Sequence, residues 1–118
     1  MATILIVDDE QPVRELLAEL VQEAGHVALL ATNGQEALEI IAAERPSLAI
    51  VDVMMPILGG VELSRRLKAD KRWRTIPVVL MSSADRRVSD GAGADAFLAK
   101  PFDLPTVEQL LERWTADR

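Results

Sequence analysis

The sequence predicts an α/β domain built on a mostly parallel sheet. Five short apolar runs recur along the chain, and amphipathic segments of helical spacing lie between and after them. The runs are apolar throughout instead of alternating with polar residues, which marks strands buried on both faces by covering helices.

The elements follow in order. "TILIV" is the first strand, and it runs directly into Asp8, Asp9 and Glu10. Pro12 suits the first helical position. Behind it, Val13, Leu16, Leu17, Leu20, Val21 and Ala24 repeat at helical spacing until Gly25 stops the helix. "VALLA" is the second strand. Asn33 and Glu36 form a capping-box pattern that opens a second helix, burying Ala37, Leu38 and Ile41. "LAIV" is the third strand and ends in Asp52. A third helix carries Val61, Leu63 and Leu67 ahead of a basic stretch. "PVVLM" ends in Ser82, and "AFLA" ends in Lys100 and Pro101. After Asp103 the last helix places Val107, Leu110, Leu111 and Trp114 on one stripe.

Bulk properties narrow the function. The 118 residues make one domain, with no repeat and no linker-like tract. A hydrophobic share of 49% and a charged share of 27% are those of a folded globular protein. The absence of cysteine excludes disulfides and thiolate metal sites and fits a reducing compartment. No apolar run reaches the roughly 18 residues of a membrane helix, and the first residues lack a signal peptide's pattern. A cytoplasmic location with no membrane partner is therefore expected. The net charge of −6 opposes a phosphate backbone, so no direct nucleic acid binding is expected.

In open sheets of this kind, ligands bind in the crevice beyond the carboxyl ends of the strands. Each residue at those ends has an ordinary role available. Asp8, Asp9 and Glu10 precede a helix N-terminus, where negative charge is favoured. Asp52 can form a turn, Ser82 and Ser83 can be loop hydroxyls, and Lys100 can be a solvated charge. Their conjunction is less ordinary. If the first and third strands are neighbours, three carboxylates gather. Each close like-charge pair then costs up to about 4 kcal/mol at ~4 Å and an effective dielectric of ~20. Lys100 offsets one charge, and a divalent cation would offset the other two.

Oxygen donors without cysteine, and with the single His26 far away in sequence, select a hard ion: Mg²⁺ first, with Mn²⁺ as second choice. A metal held in this way keeps positions for phosphate oxygens. An aspartate beside it can serve as the nucleophile of a phosphoryl transfer, with the Lys100 ammonium and the Ser82 hydroxyl on the equatorial oxygens.

The stretches "ILIVDDE", "AIVDVMMP", "PVVLMSS" and "GADAFLAKPF", in that order, make the chain resemble a response regulator receiver domain of two-component signalling. The resemblance covers essentially all of residues 1–118 as a single receiver domain. It implies a flavodoxin-like, doubly wound, five-stranded parallel sheet of order 2-1-3-4-5 with five helices. Asp52 is then the phosphoacceptor, taking a phosphoryl group from a phosphohistidine. Asp9, Asp52 and the backbone carbonyl of Met54 are implied as direct Mg²⁺ ligands, and Asp8 as one acting through a water. Ser82 would hydrogen-bond the phosphoryl group and Lys100 would pair with it. The Lys100–Pro101 peptide is implied to be cis. Phe97 takes the place of the aromatic that moves inward as Ser82 moves toward the phosphate, switching a surface. The implied partners are a sensor histidine kinase or phosphotransfer protein, and a downstream protein or an output domain absent from this chain. Such a module catalyses its own phosphorylation and dephosphorylation but turns over no external substrate.

Three features depart from the family pattern. Phe97 lacks the hydroxyl of the tyrosine many members carry. Gly59 stands where an acidic residue is usual. From Ser82 to Lys100 is 18 positions (100 − 82), about one helical turn short of the pattern. The intervening "ADRRVSDGAGAD" holds two glycines and no apolar stripe, so a short or irregular fourth helix is expected. That would alter the face this family commonly uses for output and dimerisation. The basic run "RRLKADKRWR" reads as the solvated side of the third helix and its loop.

Other functions fit less well. A Mg²⁺-dependent aspartyl-phosphate phosphatase of the haloacid dehalogenase type wants a second acid two positions after the nucleophile, where this chain has Met54. A flavin phosphate needs a glycine- or hydroxyl-rich first loop, where this chain has Asp8 and Asp9. A degenerate receiver used only as a binding module would not need the complete acidic set.

Overall fold

A computed structural model describes residues 1–83 and 93–116. Strands β1 (Thr3–Val7), β2 (Val27–Ala31), β3 (Leu48–Asp52), β4 (Val78–Ser82) and β5 (Ala96–Ala99) form one sheet. Its order is β2-β1-β3-β4-β5, and every neighbouring pair is parallel. The order implied by the family resemblance is therefore the order found. Among the described residues there are four helices: α1 (Gln11–Glu23), α2 (Gly34–Ala43), α3 (Gly60–Ala69) and α4 (Leu104–Thr115). The last, α4, is the fifth helix of the sequence reading. The short or irregular fourth helix expected within 84–95 falls largely on residues 84–92, outside the described residues.

Strand alternation sorts the core into two layers. Successive side chains of a strand point to opposite faces. Leu5 and Val7 of β1 join Ala37, Ile41, Leu63 and Leu67 on the α2/α3 face, while Ile4 and Ile6 join Leu17, Val21, Val107 and Leu111 on the α1/α4 face. Of the central strands, β3 is buried along its whole length, and β1 and β4 are buried except at Thr3 and Ser82, as uninterrupted apolar runs require. At the edge, β2 differs from expectation: Val27 and Leu30 are exposed, because an edge strand has no neighbour to bury its outer side. Leu16 is exposed too. It lies on the margin of the α1 stripe, beyond the reach of the sheet.

Local chemistry sets the helix ends. The Gly25 N–H donates to the Gln22 carbonyl at 2.9 Å, and the His26 N–H to the Val21 carbonyl at 3.1 Å, with Gly25 at φ +89°. That pair of bonds closes α1 in the Schellman arrangement, whose left-handed residue favours glycine. Asn33 caps α2 by accepting the Glu36 N–H at 2.9 Å. The Glu36 carboxylate reaches back one residue further than a simple capping box, to the N–H of Thr32 at 3.2 Å. Asp103 caps α4 by accepting the Thr106 N–H at 2.8 Å.

The end of β3 is held against α3 by an approach only glycine permits. A Cβ on Gly60 would lie 2.2 Å from the Asp52 carbonyl oxygen, and the Gly60 N–H donates to the Val53 carbonyl at 3.1 Å. Gly60→Ala is therefore expected to push α3 away from Asp52 and lower stability by about 1–3 kcal/mol, read from chemical denaturation.

Candidate functional site

Parallel pairing fixes which chain ends meet. Because β1 and β3 are direct neighbours, with Val7 opposite Val51, the residues following them, Asp8 and Asp52, emerge side by side. Lys100 follows β5, two strands away from β3, and its side chain spans the gap across the end of β4. Its Nζ lies 2.8 Å from Asp8 Oδ2, 3.1 Å from Asp52 Oδ1 and 3.5 Å from Glu10 Oε1. One ammonium thus serves three acids. The Lys100 side chain is 15% exposed, and Asp8 is fully buried.

Asp8 is committed on both oxygens: Oδ2 to Lys100, and Oδ1 to the Glu10 N–H at 2.9 Å. Asp9 is exposed, yet one oxygen from each of Asp8, Asp9 and Asp52 falls within 4.8 Å of the others. This trio is the one group of three or more potential metal-ligating side chains among the described residues. The acids open into a cleft of about 470 Å³ lined by Asp9, Glu10, Asp52, Met54, Ser82, Ser83 and Lys100. The Lys100–Pro101 peptide is cis.

The electrostatics follow from this crowding. Burial disfavours the Asp52 carboxylate, and the neighbouring Asp8 charge adds to the effect. Together they outweigh the Lys100 hydrogen bond and hold the Asp52 carboxyl above its usual range. Burial alone would push the Lys100 ammonium down, but hydrogen bonds and charges from Asp8 and Asp52 prevail and raise it. Counting formal charge, Asp8, Asp9 and Asp52 at −3 with Lys100 at +1 leave −2. The donor set, all carboxylate oxygen around an uncompensated double charge, fits a hard divalent cation.

Ser82 ends β4 opposite Ala99 and lines the cleft. Phe97 is on β5 opposite Leu80, half-buried and packed against the α2/α3-side core, so it does not line the cleft itself. Met54 is 72% exposed at the cleft's edge. Gly59 serves as the N-cap of α3 without a side chain to accept a hydrogen bond.

Some contributions escape a reading by strand ends. The Arg14 guanidinium donates to the Asp8 carbonyl at 2.8 Å, securing the loop that carries the acids. One turn into α1, Arg14 gives no motif signal. Glu10 read only as a helix-start acid, yet it reaches Lys100. His26 accepts the Ala2 N–H on Nδ1 at 2.9 Å, tying down the start of β1 at the far end of the sheet.

The loop between Asp52 and α3 holds a strained residue. Ile57 has φ +70°, and the Leu58 N–H donates to the Pro56 carbonyl at 2.7 Å around it, a γ-turn of the rarer hand. A β-branched side chain is disfavoured there, and it is 81% exposed, so no core packing offsets the strain. Ile57→Gly, which removes the strained Cβ, is expected to raise stability by up to about 1 kcal/mol, seen as a higher denaturation midpoint.

Comparison with known proteins matches this architecture. The phosphate regulon transcriptional regulatory protein PhoB of Pseudomonas aeruginosa is 40% identical over 104 residues, covering 85% of this chain and 45% of PhoB. The chain spans about half the length of the curated relatives it matches. A solved signal receiver domain of a signal transduction histidine kinase from Syntrophus aciditrophicus is 35% identical at a TM-score of 0.93, covering 100% of this chain and 94% of that one. The receiver domain of sensor histidine kinase PA1611 from Pseudomonas aeruginosa, solved with a magnesium ion coordinated in its active site cleft, shares the fold at a TM-score of 0.90. Its identity is 24%, and the match covers 98% of each chain. The family of response regulator receiver domains matches residues 4–112, and the chain belongs to it.

Proposed function

We propose that residues 1–118 act as a single receiver module, in which Asp52 takes a phosphoryl group from a phosphohistidine on a sensor histidine kinase or phosphotransfer protein. The observation that carries this reading is the single Lys100 ammonium shared between buried Asp8 and Asp52 at the mouth of an acidic cleft. An Asp52 oxygen attacks phosphorus, the O–P bond forms, and the N–P bond to the donor imidazole breaks. Lys100 neutralises charge on the transferring group, and Ser82 donates a hydrogen bond to one of its oxygens.

Asp9, Asp52 and the Met54 carbonyl would hold Mg²⁺, or Mn²⁺, directly. Asp8, with both oxygens already engaged, would reach the ion through a water. When bound, the ion supplies positive charge and coordination positions for phosphoryl oxygens. The receiver from PA1611, alike in fold, holds magnesium in its active site cleft, which supports an ion in this cleft.

After transfer, Ser82 moves toward the new phosphoryl oxygens, and Phe97, one strand over, turns inward to change the outer face. This is a population shift between two arrangements. The output would be read by a downstream protein or by an output domain absent from this chain, in the cytoplasm, without direct nucleic acid or membrane binding by this domain. Met54 in place of a second acid leaves no general acid two residues after Asp52, which favours a phosphoacceptor over a phosphatase with external substrates.

Single-turnover transfer tests this reading. A radiolabelled, phosphorylated histidine-phosphotransfer domain with Mg²⁺ should lose label to the chain with a stoichiometry of one. Repeated turnover of p-nitrophenyl phosphate, with no stable labelled chain, would contradict it.

A further inference from the structure

We propose that the surface formed by Arg45, Lys71, Arg72 and Arg74 binds an acidic peptide segment of a partner protein. It lies at the opposite end of the sheet from the acidic cleft. Arg45 precedes β3 and residues 71–74 precede β4, whereas the cleft follows the strands' carboxyl ends.

The basic run on its own reads as a solvated face, and for part of it the structure agrees. Arg66 pairs with Glu62 at 3.4 Å. Lys68 is tied to Asp95 at 2.8 Å and to the Ile76 carbonyl at 2.8 Å, a structural clamp. The remainder behaves differently, because a fourth cation joins it from a distant loop. Arg45 donates to the Arg72 carbonyl at 3.2 Å and to Thr75 Oγ1 at 2.6 Å. Its guanidinium is held by two neutral acceptors against a loop that already carries three cations. Among the described residues no carboxylate pairs with Arg45, Lys71 or Arg74, and all three are exposed.

The nearby acids do not cancel the cluster. Asp70 spends both oxygens on Arg72, at 3.1 and 2.8 Å, and Glu44 is Arg45's neighbour in the chain. Four cations against Glu44 and Asp70 leave +2. The Arg72 guanidinium also lies 4.1 Å from the centre of the Trp73 ring, and the Trp73 and Arg74 N–H groups both donate to the Asp70 carbonyl. The Arg45 and Arg72 guanidinium groups are thus held in place before any partner arrives, which lowers the ordering cost of binding.

Like charges assembled on neutral supports weaken the free protein slightly, and an anion removes that penalty. The charge balance selects the kind of anion. The whole chain carries −6, so outside this +2 patch it carries −8 (−6 − 2). A nucleic acid strand running past the patch would meet that negative surface, whereas a short acidic segment within a Debye length of about 8 Å meets the patch alone.

Amide NMR of the isotope-labelled chain with a blocked hexaglutamate peptide tests the proposal. Saturable shifts are expected at Arg45 and residues 71–75, with affinity falling severalfold as NaCl rises from about 50 to about 300 mM. Reversal by Arg45→Glu, Lys71→Glu and Arg74→Glu together should weaken binding at least about tenfold. The matching triple change to Gln, which removes charge with less disturbance, should weaken it severalfold even if the reversed variant folds poorly. Both should keep labelling by acetyl phosphate at the far end. Shifts absent from the patch, equal binding by the Gln variant, or tighter binding of a thymidine hexanucleotide at the same residues would overturn it.

Discussion

Asp52→Asn should abolish phosphoryl labelling by acetyl phosphate and, in the metal-free chain, raise thermal stability. The two effects share one cause. The oxygen that attacks phosphorus is held as an anion in a place where burial and Asp8 disfavour the anion, and the amide removes both the nucleophile and the penalty. The sign of the pH dependence follows. With its carboxyl above the usual range when folded, the native state binds more protons than the unfolded chain in the window between those two values. Stability therefore falls as pH rises through that window, and the loss persists at neutral pH. Each tenfold by which the site disfavours the carboxylate is worth about 1.4 kcal/mol. The Asn variant should lack this fall, so the stability curves of the two proteins should diverge just above the ordinary carboxylate range and stay apart. Mass spectrometry of the labelled chain and melting across pH read both halves. A labelled Asn variant would show that another residue accepts the phosphoryl group.

Lys100→Met is expected to do more damage than any other single change at the site. It leaves Asp8 and Asp52 buried together with no ammonium between them. Breaking a buried ion pair from one side costs about 3–5 kcal/mol, a large share of the stability of a domain this size. The melting temperature of the metal-free variant should fall by on the order of 10 °C or more. Acid should restore part of the loss, because Asp52, already raised, takes up a proton more readily still. In the wild type the Lys100 contribution also falls as pH rises, but in the alkaline window. Its raised value means that the stabilisation is fully present below the ordinary lysine range and is lost as pH rises through the folded value. Transfer from phosphohistidine should also slow, since no cation then meets the phosphoryl oxygens from that side. A variant that melts like the wild type would mean that the three contacts of Lys100 contribute nothing in solution.

The fold was legible because its signals are local. Runs such as "LAIV" and "PVVLM" mark central strands by being apolar without interruption, and Gly25, Asn33 and Asp103 mark helix ends through bonds made within a few residues. The acids were legible for a topological reason, since strand ends in a parallel sheet converge. The central strands and the edge strand "VALLA" read alike, because nothing in a strand's own residues says whether it has a second neighbour. Contacts set by side-chain reach were invisible as well: Arg14 on the Asp8 carbonyl, His26 on the Ala2 N–H, and Arg45 across 27 residues to Arg72. The turn at Ile57 was hidden for the opposite reason. Its residue type argues against the conformation it adopts, so only the surrounding bonds reveal it.

Calorimetric titration of the metal-free chain with Mg²⁺ tests the central claim most directly, namely that the clustered acids form a cation site centred on Asp52. One ion should bind per chain, and free Mg²⁺ at about 100 times its Kd should stabilise the fold by about 2.7 kcal/mol. Both the heat and the stabilisation should vanish when Asp9→Asn and Asp52→Asn are combined. Titration without heat, together with a melting temperature indifferent to Mg²⁺, would contradict the account.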